Sequence, residues 1–588
     1  MSTTDETATK DGGDEATPPH QRPAWQKAAK RYGPIAAVAA LVGGAVVVFG
    51  GSGGGDDEGG GTNATTEVPS EEELIRSGPM TPQRAELEGV DVDFGPNCDT
   101  ERGTITLPSV YAPPCVEPFE GDNGGATYQG VTADDVLIVS YEPDPALDPL
   151  TAAMIGGAGA DVNPETSART TQGYVDIYNE VFETYGRTVR VETYMGTGAG
   201  DDIEAAKADA IAIAEMEPFA VIGGPAQSSP VFSAEIASRG IVCAGNCALA
   251  VPEDIIHEYE PYLWGALQTP DQGVLAASAA IGTYAGPGKA ELAGDPAMHD
   301  QDRVYGLLHY DTPNGDHQAV FEEFVRRLEE YGIELATDVE FTLDLARAQE
   351  NARTNISKLK DAGVTTIIYY GDPITPSSLT AEATAQDYWP EWILGPNVLM
   401  DTTIFARLTD GEQWRNGFGV SASPARGAVE TTEAFNIWNW AYGELPPNNT
   451  ARVIDPPIRT MFNGIHMAGP ELTPETFRDA MFRTPPAGGS PLSPRVSRGD
   501  HGIWPETDWG GVDDGTLIWW DPTAPGEDEA GNPGTGMYRY ANGGQRSTYN
   551  DRPGSLEESG LFDVERSVTL YDTLPPEDQV PDYPPPDL

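Results

Sequence analysis

The chain reads as an α/β protein of two doubly wound parallel-sheet lobes joined by a hinge, preceded by a transmembrane anchor or signal segment. Three observations lead there. Strand-length apolar runs alternate with helix-length amphipathic stretches from residue 131 to about 420. One stretch, Phe219 to Asn246, shows the repeating unit in full. Near the start, Lys27, Lys30 and Arg31 stand just before an apolar run from Ile35 to Phe49, and no Lys or Arg follows until Arg76.

Within the central stretch, Ala220–Ile222 is a short buried strand, Gly223-Gly224-Pro225 a turn, and Ser228-Ser229-Pro230 a helix start. Arg239-Gly240 ends the helix, and Ile241–Cys243 is the next strand. A strand–helix–strand of this length makes the strands parallel and puts the polar loop at the carboxyl end of the first, where open α/β sheets hold ligands. Two readings stand for Gln227 and Ser228: contact with a small molecule, or a helix cap.

The other units follow in order. Val136–Tyr141 is a continuous apolar strand. Ala168–Tyr185 carries Tyr174, Ile177, Tyr178, Val181, Phe182 and Tyr185 on one helical stripe. Strand Val189–Tyr194 and the Ala-rich helix Ile203–Met216 lead into the central stretch. After it come helix Gln272–Tyr284, strand Val304–His309, helix His317–Tyr331, strand Asp338–Phe341 and helix Gln349–Ala362. Strand Thr365–Tyr370, helix Ser377–Gln386 and strand Trp392–Leu394 complete the run. One sheet rarely uses so many units, so the chain divides into lobe 1 at 131–265 and lobe 2 at 266–420. Segments 421–544 cross back and end in paired strands, Thr516–Trp520 and Met537–Tyr540. Residues 545–588 form an acidic, Pro-rich surface tail.

At the other end, residues 1–34 form a polar cytoplasmic tail and 35–51 the anchor or signal segment. The charge asymmetry is that of a segment whose C-terminal side is exported. The run is shorter than the ~20 residues of a comfortable span, so an uncleaved anchor and a cleaved signal peptide both stand. Residues 52–70 are a flexible linker, and 71–130 a Pro/Gly-broken extension containing Cys98 and Cys115. Cys243 and Cys247 are the other two of four cysteines, and in an exported chain both pairs read as disulfides.

Composition excludes more than it assigns. Of 588 residues, Asp and Glu number 93 against 34 Lys and Arg, a formal net charge of −59. That excludes a nucleic-acid partner, which needs a basic footprint. No nucleophile elbow, zinc signature or phosphate loop is present, so neither an enzyme nor a cofactor or metal is expected. The acidic Asp521–Asn532 connection lacks calcium-loop spacing and reads as solvated, as do Asp144, Asp148 and Asp161 after the first strand.

The order of parts across about residues 130–480 resembles the type I periplasmic-binding-protein fold, in the leucine/isoleucine/valine-binding branch of ABC-importer substrate-binding proteins. The resemblance rests on Gly130-Val131-Thr132-Ala133-Asp134-Asp135-Val136-Leu137-Ile138 and on Val221-Ile222-Gly223 with Gln227-Ser228-Ser229. It rests also on Tyr262-Leu263-Trp264 with Asp271-Gln272-Gly273, on Tyr369-Tyr370-Gly371-Asp372, and on Asn463-Gly464-Ile465 with Leu472–Phe477. It implies an interlobe cleft lined by Gln227, Ser228, Ala248, Asn314, Tyr370, Asp372 and Asn397. The loop Gly245–Leu249 lacks the family's hydroxyl, Thr312-Pro313-Asn314-Gly315 replaces its tyrosine, and Asn397 stands where its acid would meet an ammonium group. Asp372 either compensates for that acid or starts a turn. The implied ligand is a small polar solute (amino acid, amide or related compound), and the implied partner is an ABC permease at the membrane. A membrane-anchored sensor on the same fold is the alternative.

Overall fold

The computed structural model describes residues 70–588 apart from 158, 313, 397 and 398. The expected tail, anchor and linker up to residue 69, and Asn397, lie outside the described residues. Among those described, no helix is long and apolar enough to cross a membrane.

The chain begins with helices Glu71–Ser77 and Pro82–Glu88 and a small antiparallel pair, β1 (Cys98–Asp99) and β2 (Thr104–Ile105). The Cys98–Cys115 disulfide closes this extension. Lobe 1 follows with five parallel strands: β3 (Asp135–Glu142), β4 (Thr188–Met195), β5 (Ala220–Ile222), β6 (Val242–Ala244) and β7 (Leu263–Trp264). Their order is β4-β3-β5-β6-β7. The inner strands β3, β5 and β6 are buried on both faces and read as continuous apolar runs, whereas β4 at the edge is largely exposed.

Lobe 2 repeats the plan with β8 (Tyr305–Tyr310), β9 (Leu335–Phe341), β10 (Thr366–Tyr370), β11 (Glu391–Leu394) and β12 (Phe418–Ser421). Their parallel order is β9-β8-β10-β11-β12. Antiparallel β13 (Gly515–Glu527) and β14 (Pro533–Tyr540) extend it past β12, and β15 (Arg546–Ser547) pairs with β13. Between β12 and β13 the chain returns to lobe 1. Helices Glu433–Tyr442, Ala451–Ala468 and Pro474–Arg483 bury Ile437, Trp438, Phe462 and Phe477 in the same core as β3–β7. Three crossings therefore join the lobes, after β7, after β12 and before β13.

Helix Ala451–Ala468 was not legible in the sequence because it holds Pro456 and Pro457. Pro457 packs against Gly245, whose φ of +64° and lack of a Cβ let the two backbones approach. At the end of the chain, Arg546, Leu561 and Asp578 are buried, so the segment expected as a surface tail is partly packed into the body. Trp440 Nε1 donates to the Tyr583 carbonyl, and the Tyr583 hydroxyl donates to Asp99.

Candidate functional site

Both sheets have the strand order in which connections on either side of the first strand leave for opposite faces, and the resulting crevice lies at the carboxyl ends of the strands. In lobe 1 that point falls between β3 and β5. The loop after β3 ends at Asp148, which precedes the helix Pro149–Gly157. Oδ1 accepts from the Thr151 amide at 3.1 Å, while Oδ2 is buried and has no partner among the described residues. The loop after β5 ends at Ser228, immediately before the helix Ser229–Ala237. Its side chain does not cap that helix, and its Oγ is buried without a partner among the described residues. Gly223, at φ +76°, is required here because a Cβ would lie 2.3 Å from the Tyr141 carbonyl. Gln227 is half-buried beside it.

The next strand end carries Ala248, buried in the short turn Gly245–Ala248 that the Cys243–Cys247 disulfide closes. Ser229 Oγ donates to the Cys247 carbonyl at 3.1 Å and so fixes this loop against the helix start. A further buried carboxylate, Asp209, accepts from Thr197 Oγ1 at 2.6 Å, Tyr194 at 2.9 Å, the Thr197 amide at 3.0 Å and Tyr141 at 3.2 Å. Those bonds clamp the ends of β3 and β4.

Lobe 2 presents its corresponding crevice between β8 and β10. Tyr310 ends β8 and packs on Phe341. Burial, and the carboxylates of Asp372, Asp311, Asp201 and Asp316, push its phenol well above the ordinary range. Asp201 belongs to the loop after β4, so lobe 1 lies within electrostatic reach of this ring. His317 Nε2 lies 3.1 Å from the Ala250 carbonyl of lobe 1, and its Nδ1 3.9 Å from Asp311. On another side Gly159 of lobe 1 touches Ala530 of the β13–β14 turn so closely that a Cβ would fall 2.4 Å away.

Other residues expected in the cleft are spent elsewhere. Asp372 holds the turn that leads into helix Thr375–Ala385: Oδ1 accepts from the Ile374 and Thr375 amides at 2.8 Å, and Oδ2 from Thr375 Oγ1 at 2.6 Å. Burial raises its carboxyl, against the lowering effect of those bonds. Tyr370 packs into the lobe 2 core against Phe321 and Phe324. Tyr369 lies in the core on the opposite face and donates to the Asp372 carbonyl. Asn314 is exposed and donates to Asp316 at 2.7 Å. The structure thus gathers Gln227, Ser228 and Ala248 at one sheet edge and adds Tyr310, His317 and Asp148, the last read from the sequence as a solvated loop acid but buried here. Asp148 had a usable signal: an Asp-Pro pair opening a helix straight after the first strand. Among the described residues no cluster of His, Cys, Asp or Glu could hold a metal.

Fold and site together define a class: a two-lobed parallel α/β protein with polar loops from both lobes facing one another. No protein-family model matches the chain, and no curated protein does. It is similar to solved structures of solute-binding proteins. One is a solute-binding protein of an ABC transporter from Rhodopseudomonas palustris BisB5, in complex with 3,4-dihydroxybenzoic acid (14% identity, 69% of this chain and 98% of that one, TM-score 0.45). Another is a leucine-, isoleucine-, valine-, threonine- and alanine-binding protein from Brucella ovis (10%, 75% and 100%, TM-score 0.46). A third is a fatty acid ABC transporter substrate-binding protein from Thermomonospora curvata (13%, 79% and 99%, TM-score 0.46).

Proposed function

We propose that this chain is an extracytoplasmic solute-binding protein that captures a small polar solute between its lobes and passes it to an ABC permease. One observation carries the reading. Asp148 Oδ2 and Ser228 Oγ are both buried and have no partner among the described residues, and both belong to the loops that flank the lobe 1 crevice between β3 and β5. A buried polar atom without a partner is costly, and a ligand that supplies the missing hydrogen bond repays that cost. A carboxylate accepts and a serine hydroxyl both donates and accepts, so the pair suits an ammonium or amide donor beside a polar oxygen. Gln227 and Ala248 belong to the neighbouring strand-end loops, and Tyr310 of lobe 2 lies within electrostatic reach of Asp201 in lobe 1. The three crossings supply the hinge for closure. The segment 35–51 keeps the exported protein at the membrane.

A thermal-shift screen tests this, run on the exported protein against amino acids, amides, short peptides, sugars and polyols. A ligand at a hundred times its dissociation constant adds about 2.7 kcal/mol. The expected result is a hit that weakens in both Asp148→Asn and Ser228→Ala. A hit indifferent to both substitutions would move the site away from this crevice. N-terminal sequencing of the exported form tests the anchor: a start near residue 52 would remove it.

A further inference from the structure

Away from the interlobe crevice, the extension, two of the crossings and the end of the chain enclose a second cavity of ≈ 710 Å³. That falls within the range of small-molecule sites, about 300–1,000 Å³. Its walls come from Ser109 of the extension, Thr431 and helix Glu433–Tyr442, Leu492 and Ser493, Leu574, and residues 578–583. The lining contains three carboxylates (Glu433, Asp578 and Asp582) and no Lys, Arg or His.

These carboxylates are not equally satisfied. Glu433 is paired from behind by Arg459 at 2.9 Å. That one guanidinium also serves Asp455, at 3.1 Å. Asp582 is exposed at the rim. Asp578 is the unusual one, because it is 94% buried by the complement of its 6% exposure. Oδ1 accepts from the Ser490 hydroxyl, and Oδ2 is buried with no partner among the described residues. A carboxylate oxygen in that position calls for a donor, and the net negative lining selects a cationic one. Two rings, Trp440 and Tyr583, also line the cavity, and the hydrogen bond from Trp440 Nε1 to the Tyr583 carbonyl holds them together. Aromatic faces beside carboxylates receive the carbon chain and the charge of an organic ammonium ion.

We propose that this cavity is a second ligand site, separate from the interlobe crevice, that binds a small aliphatic amine or diamine through Asp578. The neutral amides of Asn436 and Asn439 at the wall complete a lining that accepts an ammonium group without supplying a competing cation.

Isothermal titration calorimetry on the intact exported protein, with putrescine and butylamine as probes and butanol as the uncharged control, tests the proposal. Salt at about 150 mM screens the general attraction of cations to so acidic a chain. The expected result is saturable binding of putrescine, one per chain, with none for butanol. Asp578→Asn should weaken it by about tenfold or more, as should Asp582→Asn to a lesser degree should the first variant fold poorly. Asp148→Asn and Ser228→Ala should leave it unchanged. Glu565→Gln removes one exposed charge elsewhere and controls for bulk electrostatics. Absence of saturable binding, equal weakening by Glu565→Gln, or loss of binding in the crevice variants would each overturn the proposal.

Discussion

His466 lies where lobe 1 meets the extension, and its surroundings fix its protonation. The ring is buried in helix Ala451–Ala468. Nδ1 accepts from the Glu183 amide at 2.9 Å, so Nε2 carries the proton and donates to the Pro114 carbonyl at 2.9 Å. A second proton would have to displace the Glu183 amide in a site without water. Burial accordingly lowers the pKa from 6.5 to about 4. The unfolded chain takes up the proton near 6.5 and the folded chain only near 4, so this contribution is intact above about pH 7 and lost as pH falls through that window. Between about pH 7.5 and pH 5 the linkage relation gives a loss of about 2 kcal/mol from this one ring. Denaturant unfolding of the wild type and His466→Gln at both pH values measures it. The glutamine can accept or donate at the same place but does not titrate. The wild type should lose about 2 kcal/mol more than the variant over that interval. Equal losses would refute the argument, because every other titrating group is common to both proteins.

Three further outcomes are expected. Asp372→Ala should cost about 1–2 kcal/mol of stability through the lost hydrogen bonds of the turn before helix Thr375–Ala385, with solute affinity in the crevice unchanged, as melting and titration of one preparation will read. Glu253 is pushed up to about 7 by burial first and then by Asp271, so its ionisation opposes the fold as pH rises from 4.5 through 7. Glu253→Gln should therefore gain on the wild type at about pH 8, by up to roughly 3 kcal/mol, and lose that advantage at about pH 4, measured by parallel thermal melts. Reducing Cys98–Cys115, which spans 17 residues, should cost about 3 kcal/mol by loop-closure entropy, and the unreduced protein should show no reactive thiol on denaturation.

Regular elements were legible because burial on both faces leaves a direct trace in composition. β5 at Ala220–Ile222 matches the sequence reading residue for residue, and the helix expected from Gln272 starts two residues earlier, at Pro270 behind a Thr269–Gln272 capping box. The stripe read to Tyr185 overran its helix, which stops at Val181. Phe182 and Tyr185 are buried all the same, Tyr185 at φ +60°, so burial continued where helical geometry did not. The prolines of Ala451–Ala468 hid a helix, because sequence punctuation carries no information about the packing that tolerates it. The site was less legible for a related reason. Asp372 and Asp148 both follow a strand and precede a helix, and only the surrounding structure tells that the first spends its oxygens on its own helix while the second keeps one free. Tyr369 and Tyr370 show the same limit, since alternation put them on opposite faces of β10 and both faces are core.

The return of the chain to lobe 1 after β12 governs how the protein can be made. Trp438, Phe462 and Phe477 belong to the same core as β3 and β5, although about 300 residues separate them in sequence. A nascent chain emerging N-terminus first therefore delivers five strands of lobe 1 long before these late helices that pack on them. Lobe 2 likewise waits for β13 and β14 to complete its edge. Contacts of such long range form slowly, and during that delay apolar sheet faces lie open to solvent. Pulse-chase proteolysis of the nascent chain should show neither lobe protected until residues beyond 480 have emerged, and both gaining protection late in synthesis.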